Sequence, residues 1–554
     1  IILLIFLLFF AIPSHSDGAD YFLADVRDHL RQSLEDGLIP PGHFYDKNLL
    51  SRFYEARSYR PAWIGINGIG NQADDLMRTI YEADREGLSR NDYHYGRMKR
   101  LSELIRDGEN VINEPALYVE LEFLMTDAFF VYAFHLLSGH VNPETIQATW
   151  RSKEKRADLV QILQEALESG SVRYALKKLT PFRRGYSLLR YELMHYSYIA
   201  RRGGWEPISE GPAMRRGDRG KRVELLRKHL VLTEDIRFEG EKNRDIFDED
   251  LEAAVVRYQR RHGLSADGVV GPETLAWHNI PADELVKKIR LNMERWRWLA
   301  RDRGEIYIVV NIADFKLDVI NNDESELSMR VIVGTNYRRT PVFSSGINRI
   351  IVNPYWYVPP HIAVTDVLPE VKKNPDYLAE KKMRIYKSWN SVNHEIDPAT
   401  IDWPQVNAEN FDYMFRQDPG PLNPLGKIKF LFPNKFSVYL HDTPARNLFE
   451  MTRRGFSSGC IRLEKPAELA DYLLKGEEEG NREDVAEAIE AGDAKVYYLP
   501  EPVPLYLIYW TAWVDNDMQL NFRDDIYNRD ILLSEALNEK SPVAKSMTEP
   551  PRLY

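Results

Sequence analysis

Cys460 is the only cysteine among 554 residues; it follows Ser457-Ser458-Gly459 and precedes Ile461-Arg462-Leu463. A thiol becomes a nucleophile when a base stands beside it and donors await the charge it creates. His441, upstream of it, ends an alternating run, Phe436-Ser437-Val438-Tyr439-Leu440, that predicts a strand ending at the imidazole. Free cysteines are usually small buried hydrophobes, but Ser-Ser-Gly on one side and Arg462 on the other are poor neighbours for an apolar plug. If the segment is extended, alternation places Arg462 on the face of Cys460. These residue types predict an activated thiol rather than an inert one.

In such chemistry each neighbour has a task. An ordinary thiol, with a pKa of about 8.5, is only a few per cent ionised at neutral pH. His441 would accept its proton and later return one to a leaving amine. Gly459 allows a tight turn, and the amides of Gly459 and Cys460 are expected to donate to an oxyanion. Arg462 suits a substrate carboxylate, with an exposed strand cation as the plainer reading. Tyr439 and Trp356 either line the same groove or pack. Asp442 is adjacent to His441, so its carboxylate is expected to point away from the ring.

Several elements must hold these residues in place. The length suits three or four domains, and 44% hydrophobic and 12% aromatic content suffices for packed cores. A net charge of −11 argues against nucleic acid as a partner. Residues 1–12 are an unbroken apolar run, too short to span a bilayer and of signal-peptide length. Residues 1–16 read as an export signal truncated at its start; cleavage near Ser14–Asp17 and retention as an N-terminal anchor both fit. Export would put the lone thiol in an oxidising compartment without an internal disulfide partner. No later membrane span is expected, because the most apolar helix carries Glu122, Asp127 and His135.

Residues 17–215 read as a helical scaffold, from three- and four-residue apolar spacing in Leu76–Ala83, Leu121–Leu137, Leu159–Leu167 and Leu188–Ile199. His43, His94, His135, His140 and His195 show no metal-ligand spacing there. Glycines and arginines from Arg201 to Gly220 mark a linker. Asp248 is the expected N-cap of a helix that ends at Gly263. A connecting helix is expected over 282–302, then short β-rich runs over 303–530 that point to a sandwich or barrel rather than a parallel α/β sheet. The β pattern lapses at about 361–424, an insertion long enough to be a lid. Residues 531–554 read as a tail.

Two stretches carry family resemblances. Residues 216–281, with Phe247-Asp248, Ala254-Val255-Val256-Arg257-Tyr258-Gln259 and Gly263-Leu264-Ser265-Ala266-Asp267-Gly268, resemble the three-helix peptidoglycan-binding domain. His441-Asp442-Thr443 with Ser457-Ser458-Gly459-Cys460-Ile461-Arg462 resembles the L,D-transpeptidase signature, as do Gly334-Thr335, Thr340-Pro341 and Asn353 to Pro360. The whole resembles the large periplasmic YcbB-like subfamily. Many members carry histidine where Ser458 stands, so His441 serves alone. The resemblance implies a multidomain α+β chain: helical scaffold, small three-helix domain, and mostly-β catalytic domain with an inserted lid.

It also implies a cysteine transpeptidase of the periplasm. Cys460 would take the acyl group of a tetrapeptide stem, release D-Ala and make a 3→3 diaminopimelate cross-link, with carbapenems as acylating inhibitors. In the family a backbone carbonyl just beyond the histidine orients the ring, here that of Asp442 or Thr443. Arg462, Ser458, Tyr439 and Trp356 become substrate-side residues. Stem peptides and glycan strands are the implied partners, with other wall-synthesis enzymes beside them, and no metal or organic cofactor is implied. Protein anchoring, hydrolysis to tripeptides and a non-catalytic wall-binding scaffold are the alternatives. A papain-like or NlpC-like hydrolase is disfavoured because there Cys precedes His.

Overall fold

A computed structural model describes residues 15–37, 47–107, 114–146, 157–237, 244–299, 304–387, 394–475 and 485–538. The apolar start through residue 14, His43 and the residues from 539 onward lie outside these.

Helix Pro115–Ser138 is the axis of the first core. It is apolar all round, so it must be enclosed on every side. Helices Lys47–Ala56, Asn71–Tyr81, Tyr95–Asp107, Leu159–Glu168 and Val172–Leu179 supply that enclosure. By length and composition it could cross a membrane, yet 89% of its apolar window is buried within the protein. Glu122 survives inside it because its carboxylate accepts from the amides of Ala62, Trp63 and Ile64 and from the Tyr54 hydroxyl. These amides lead into a short hairpin, β1 (Ile64–Gly65) and β2 (Gly68–Ile69). Packing divides the predicted scaffold before residue 215: the first core ends at Leu179, and helix Arg184–Arg201 turns Tyr186, Leu189, Leu193 and Tyr196 into a second core.

Helices Lys221–Leu232, Glu249–Arg261 and Pro272–His278 build that second core. The Asp248 side chain caps the middle one, accepting from Leu251 N at 2.9 Å. Gln259 staples the Ala266-Asp267-Gly268 turn, donating to Val269 O and accepting from Gly268 N, both at 2.9 Å. The stretch Arg201–Gly220 is docked rather than a free linker. Trp205 stacks on His229 at 4.0 Å, Ile208 exchanges hydrogen bonds with Asn279, and Met214 bridges Val270. Its three apolar side chains outweigh its glycines. Helix Ala282–Arg297 buries Leu285, Ile289, Met293 and Trp296 here and sends Asn292 and Arg295 to Thr511 of the next region.

That region changes to a period of two. Its strands are β3 (Ile306–Asn311), β4 (Lys316–Asn321), β5 (Glu324–Gly334), β6 (Phe343–Val352), β7 (Trp356–Tyr357), β8 (Met383–Tyr386), β9 (Glu395–Ile396) and β10 (Met414–Gln417). They continue as β11 (Ile428–Leu431), β12 (Leu440–His441), β13 (Gly455–Ser457), β14 (Ile461–Leu463), β15 (Lys495–Ile508), β16 (Ala512–Val514) and β17 (Leu520–Phe522). Pairings run β5–β14–β12–β11–β6–β15–β3–β4 and return to β5, closing a mixed barrel with β13 alongside β5. Closure rests on β5: its early residues pair with β4, its last ones with β14 and β13. Ile428, Phe430, Leu440, Ile461 and Leu463 fill the interior, so Lys429, His441 and Arg462 between or beside them face outward.

Three expectations change. The run from Phe436 to Tyr439 is not strand; β12 is only Leu440–His441. Asn434 Oδ1 accepts from the amides of Phe436 and Val438, and Ser437 adopts a φ of 55°, which makes a turn of alternating sequence. The insertion is not free of strands, since β7–β10–β8–β9 form a four-stranded sheet with its own core around Val371, Ile385 and Phe415. The predicted tail begins as helix Arg529–Asn538, whose Leu533 is fully buried beside Val141 and Leu291.

Candidate active site

The thiol sits on a turn between β13 and β14 that is held from several sides. Gly459 has a φ of 111°, a conformation L side chains rarely adopt. The Ser457 hydroxyl accepts from Gly459 N at 3.1 Å and donates to Cys460 O at 2.5 Å. The buried Thr340 hydroxyl donates to Gly459 O and accepts from Gly334 N, both at 2.9 Å. Gly334 admits no side chain, because a Cβ there would stand 2.0 Å from Arg338 O. Tyr527 donates to Gly334 O at 2.6 Å from behind.

The register sets the chemistry around this turn. Lys429 on β11 pairs with His441 on β12, and His441 pairs with Arg462 on β14, so one imidazole lies between two cationic side chains on one face. Ile461 N donates to Tyr439 O at 3.1 Å, which puts Cys460 level with Tyr439. His441 is 4% exposed, and its Nδ1 bonds the Asp442 carbonyl. Donation of the Nδ1 proton to that carbonyl leaves Nε2 as the acceptor. Burial, followed by Arg462 and Lys429, pushes the imidazole down to about 3. Burial pushes the half-buried Cys460 thiol up, against the opposing pull of the Tyr439 amide and hydroxyl, Lys429 and Arg462. At neutral pH the resting pair is therefore thiol and neutral imidazole.

Tyr439 is the hub of this face. Its hydroxyl reaches the thiol and takes a hydrogen bond from the Trp356 indole, and its ring lies 5.6 Å from that of His441 and 3.8 Å from Lys429 Nζ. Trp356 thus joins the site from β7, the inserted sheet. Arg462 faces the thiol, and its buried Nε has no hydrogen-bond partner among the described residues.

Two expected roles look different in place. The Gly459 amide, expected to await an oxyanion, is committed to Ser457 Oγ, which leaves the Cys460 amide as the donor of the turn. The Ser458 hydroxyl accepts from Arg338 at 2.8 Å rather than standing free for substrate. The Asp442 carboxylate turns to the Lys427 amide at 2.8 Å and to Arg446, with its carbonyl alone touching the ring. Sequence reasoning missed Lys429 and Arg338, and it named Thr340 only as part of the resemblance, without its tie to Gly459. Lys429 alternates with core residues in Ile428-Lys429-Phe430, the one local signal that it faces outward.

Residues 305–485 match the family described as the L,D-transpeptidase catalytic domain, and of the site residues above only Tyr527 lies outside that span. The chain carries an L,D-transpeptidase catalytic domain. Residues 219–277 match a family described as "Putative peptidoglycan binding domain", and residues 48–193 one described as a scaffold domain. A protein of Haemophilus influenzae named "Putative L,D-transpeptidase" is 37% identical over 254 residues, which are 45% of this chain and 50% of that protein. The chain therefore spans about half the length of the curated relative it matches. Solved L,D-transpeptidases from Xylanimonas cellulosilytica and Stackebrandtia nassauensis align over 55% of this chain and 100% and 97% of their own, at 14% and 13% identity. Their TM-scores of 0.18 and 0.21 are too low to bear on the transpeptidase domain's fold or function.

Proposed function

We propose that this chain is a cysteine L,D-transpeptidase that cross-links peptidoglycan, with Cys460 as nucleophile and His441 as proton shuttle. The observation that carries the reading is the imidazole held by the Asp442 carbonyl on the strand beside the thiol, with its other nitrogen left as acceptor. In the first step Sγ bonds to the carbonyl carbon at the L-centre of a diaminopimelate residue, and the thiol proton passes to His441. The Cys460 amide receives the developing oxyanion. The C–N bond then breaks, the shuttle proton goes to the leaving amine, and D-Ala departs. In the second step a side-chain amine of another stem attacks the thioester, its proton returns through His441, and the S–C bond breaks to give the 3→3 link.

Arg462, with its unpaired buried Nε, suits a stem carboxylate at this face. Trp356 and Tyr439 form the wall on which the inserted sheet meets the barrel. The 219–277 block is the candidate grip on glycan strands, and such a substrate belongs to the periplasm. Two measurements test this. Intact-protein mass should show a carbapenem adduct on the wild type and none on Cys460→Ala; no adduct on the wild type would remove the nucleophile. Muropeptides from cells expressing the protein should gain 3→3 dimers. A rise in tripeptides alone would instead support hydrolysis by the same acyl-enzyme, and an unchanged profile would support the scaffold reading.

A further inference from the structure

Lys429 is a half-buried ammonium in the middle of this site, and no carboxylate pairs with it among the described residues. Its surroundings are instead a thiol, an imidazole, a phenol ring and other cations. Tyr439 and His441 face it from the β12 segment, Cys460 and Arg462 from the β14 segment, and Arg349 from β6. Its Nζ lies 3.8 Å from the Tyr439 ring centroid, so a cation–π contact fixes it while leaving its charge uncompensated. A lysine that only snorkelled would carry its head to water. This one is turned inward, towards Cys460, whose sulfur becomes negative as the reaction begins.

We propose that Lys429 is the electrostatic partner of the Cys460 thiolate, a fixed positive charge that stabilises the sulfur as it gives up its proton. The inference rests on Cys460 being the nucleophile, and it answers a problem the His441 geometry raises. A buried imidazole between two cations resists becoming imidazolium, so it cannot by itself favour a thiolate. The second charge must come from elsewhere on the face. Arg462 is available to a stem carboxylate; Lys429, braced on the ring whose hydroxyl reaches the thiol, is left for the sulfur. Burial, reinforced by Arg349 and opposed by Cys460, brings the lysine itself down to about 8. Its help therefore fades as pH rises through that value, before an ordinary lysine would lose its proton.

The test uses the single cysteine of the full chain. Iodoacetamide is neutral and needs no substrate site: Sγ bonds to its methylene carbon, iodide leaves, and the rate tracks the thiolate present. Lys429→Met keeps the stem and removes the charge, so Cys460 alkylation at about pH 7 should fall about tenfold, the effect of one pKa unit. The deficit should shrink towards nothing at about pH 9.5, where the wild-type lysine is also neutral. Lys429→Arg should stay within about twofold of wild type at pH 7 and exceed it at pH 9.5, because a guanidinium keeps its proton. That comparison stands even if the Met variant folds poorly. A Met variant with wild-type rates at pH 7, or a deficit undiminished at high pH, overturns the Lys429 inference alone. A wild type that is not alkylated at any pH takes the nucleophile reading down with it.

Discussion

Thr340 shows how much of a thiol's geometry can be set by a residue that touches no reactant. Its buried hydroxyl bridges Gly334 and Gly459, giving a proton to one backbone and taking one from the other. Thr340→Val keeps the shape and strands both groups, so stability should drop by about 1–3 kcal/mol, the cost of buried unsatisfied groups. Carbapenem acylation should slow by more than the lost folded fraction explains; a variant as stable and as reactive as wild type would contradict this. Residue roles were legible only as far as local pattern reached. The alternation Cys460-Ile461-Arg462-Leu463 predicted which side chains share a face, and they do, because a period of two needs no tertiary knowledge. The tie from Thr340 to Gly459 and the place of Lys429 beside Cys460 were not legible, since a register has to be known first. The commitment of the Gly459 amide to Ser457 was invisible for a subtler reason: a serine next to a tight turn reads equally as substrate contact and as turn staple.

Arg338 ties the helical part of the insertion to the Cys460 turn, beside the contact of Trp356 with Tyr439. Arg338 donates to both oxygens of Asp366 on the insertion, at 2.7 and 2.8 Å, to Thr365 Oγ1 at 3.0 Å, and to Ser458 Oγ at 2.8 Å, two residues before Cys460. A planar bidentate fork of this kind is worth more in geometry than a simple ion pair. Asp366→Asn should therefore loosen the insertion without unfolding it, seen as faster amide exchange over residues 360–373 while the barrel strands keep their protection. Unchanged exchange there would mean that the β7–β10 pairing, not the arginine, holds the insertion down. The insertion's strands escaped sequence reading because each is only two to four residues long and none alternates over a useful length. The reverse error befell Phe436 to Tyr439, where alternation was produced by a turn. Phe436 packs beside Phe343 at 5.1 Å, so its apolar character has a packing cause and no strand is needed to explain it.

At the scale of the molecule, acid is the expected weakness. His229 and His278 meet inside the second core with their Nδ1 atoms 3.0 Å apart, and His262 stacks on Tyr258 at 3.8 Å. Burial holds all three below the ordinary histidine value, His278 down to about 3, and His441 in the catalytic domain is likewise held at about 3. Unfolded, each would bind a proton near pH 6.5; folded, none does. The unfolded state therefore takes up more protons below that pH, and stability that is complete above it is lost as pH falls towards 3. Tm should decline steadily from about pH 7 to about pH 5, a range in which ordinary carboxylates contribute little. A flat Tm across that range would show that these histidines reach water.

The long strand β5 is the seam of the barrel: it pairs with β4 at one end and with β14 and β13 at the other, and its last residue, Gly334, is the one Thr340 ties to the Gly459–Cys460 turn. Its β14 partners lie more than a hundred residues downstream, so this pairing is among the slow, non-local steps of assembly. Until it forms, Gly459 lacks its Thr340 brace. If Cys460 is the nucleophile proposed above, competence reports completion, and the stroke that closes the fold is the one that arms it.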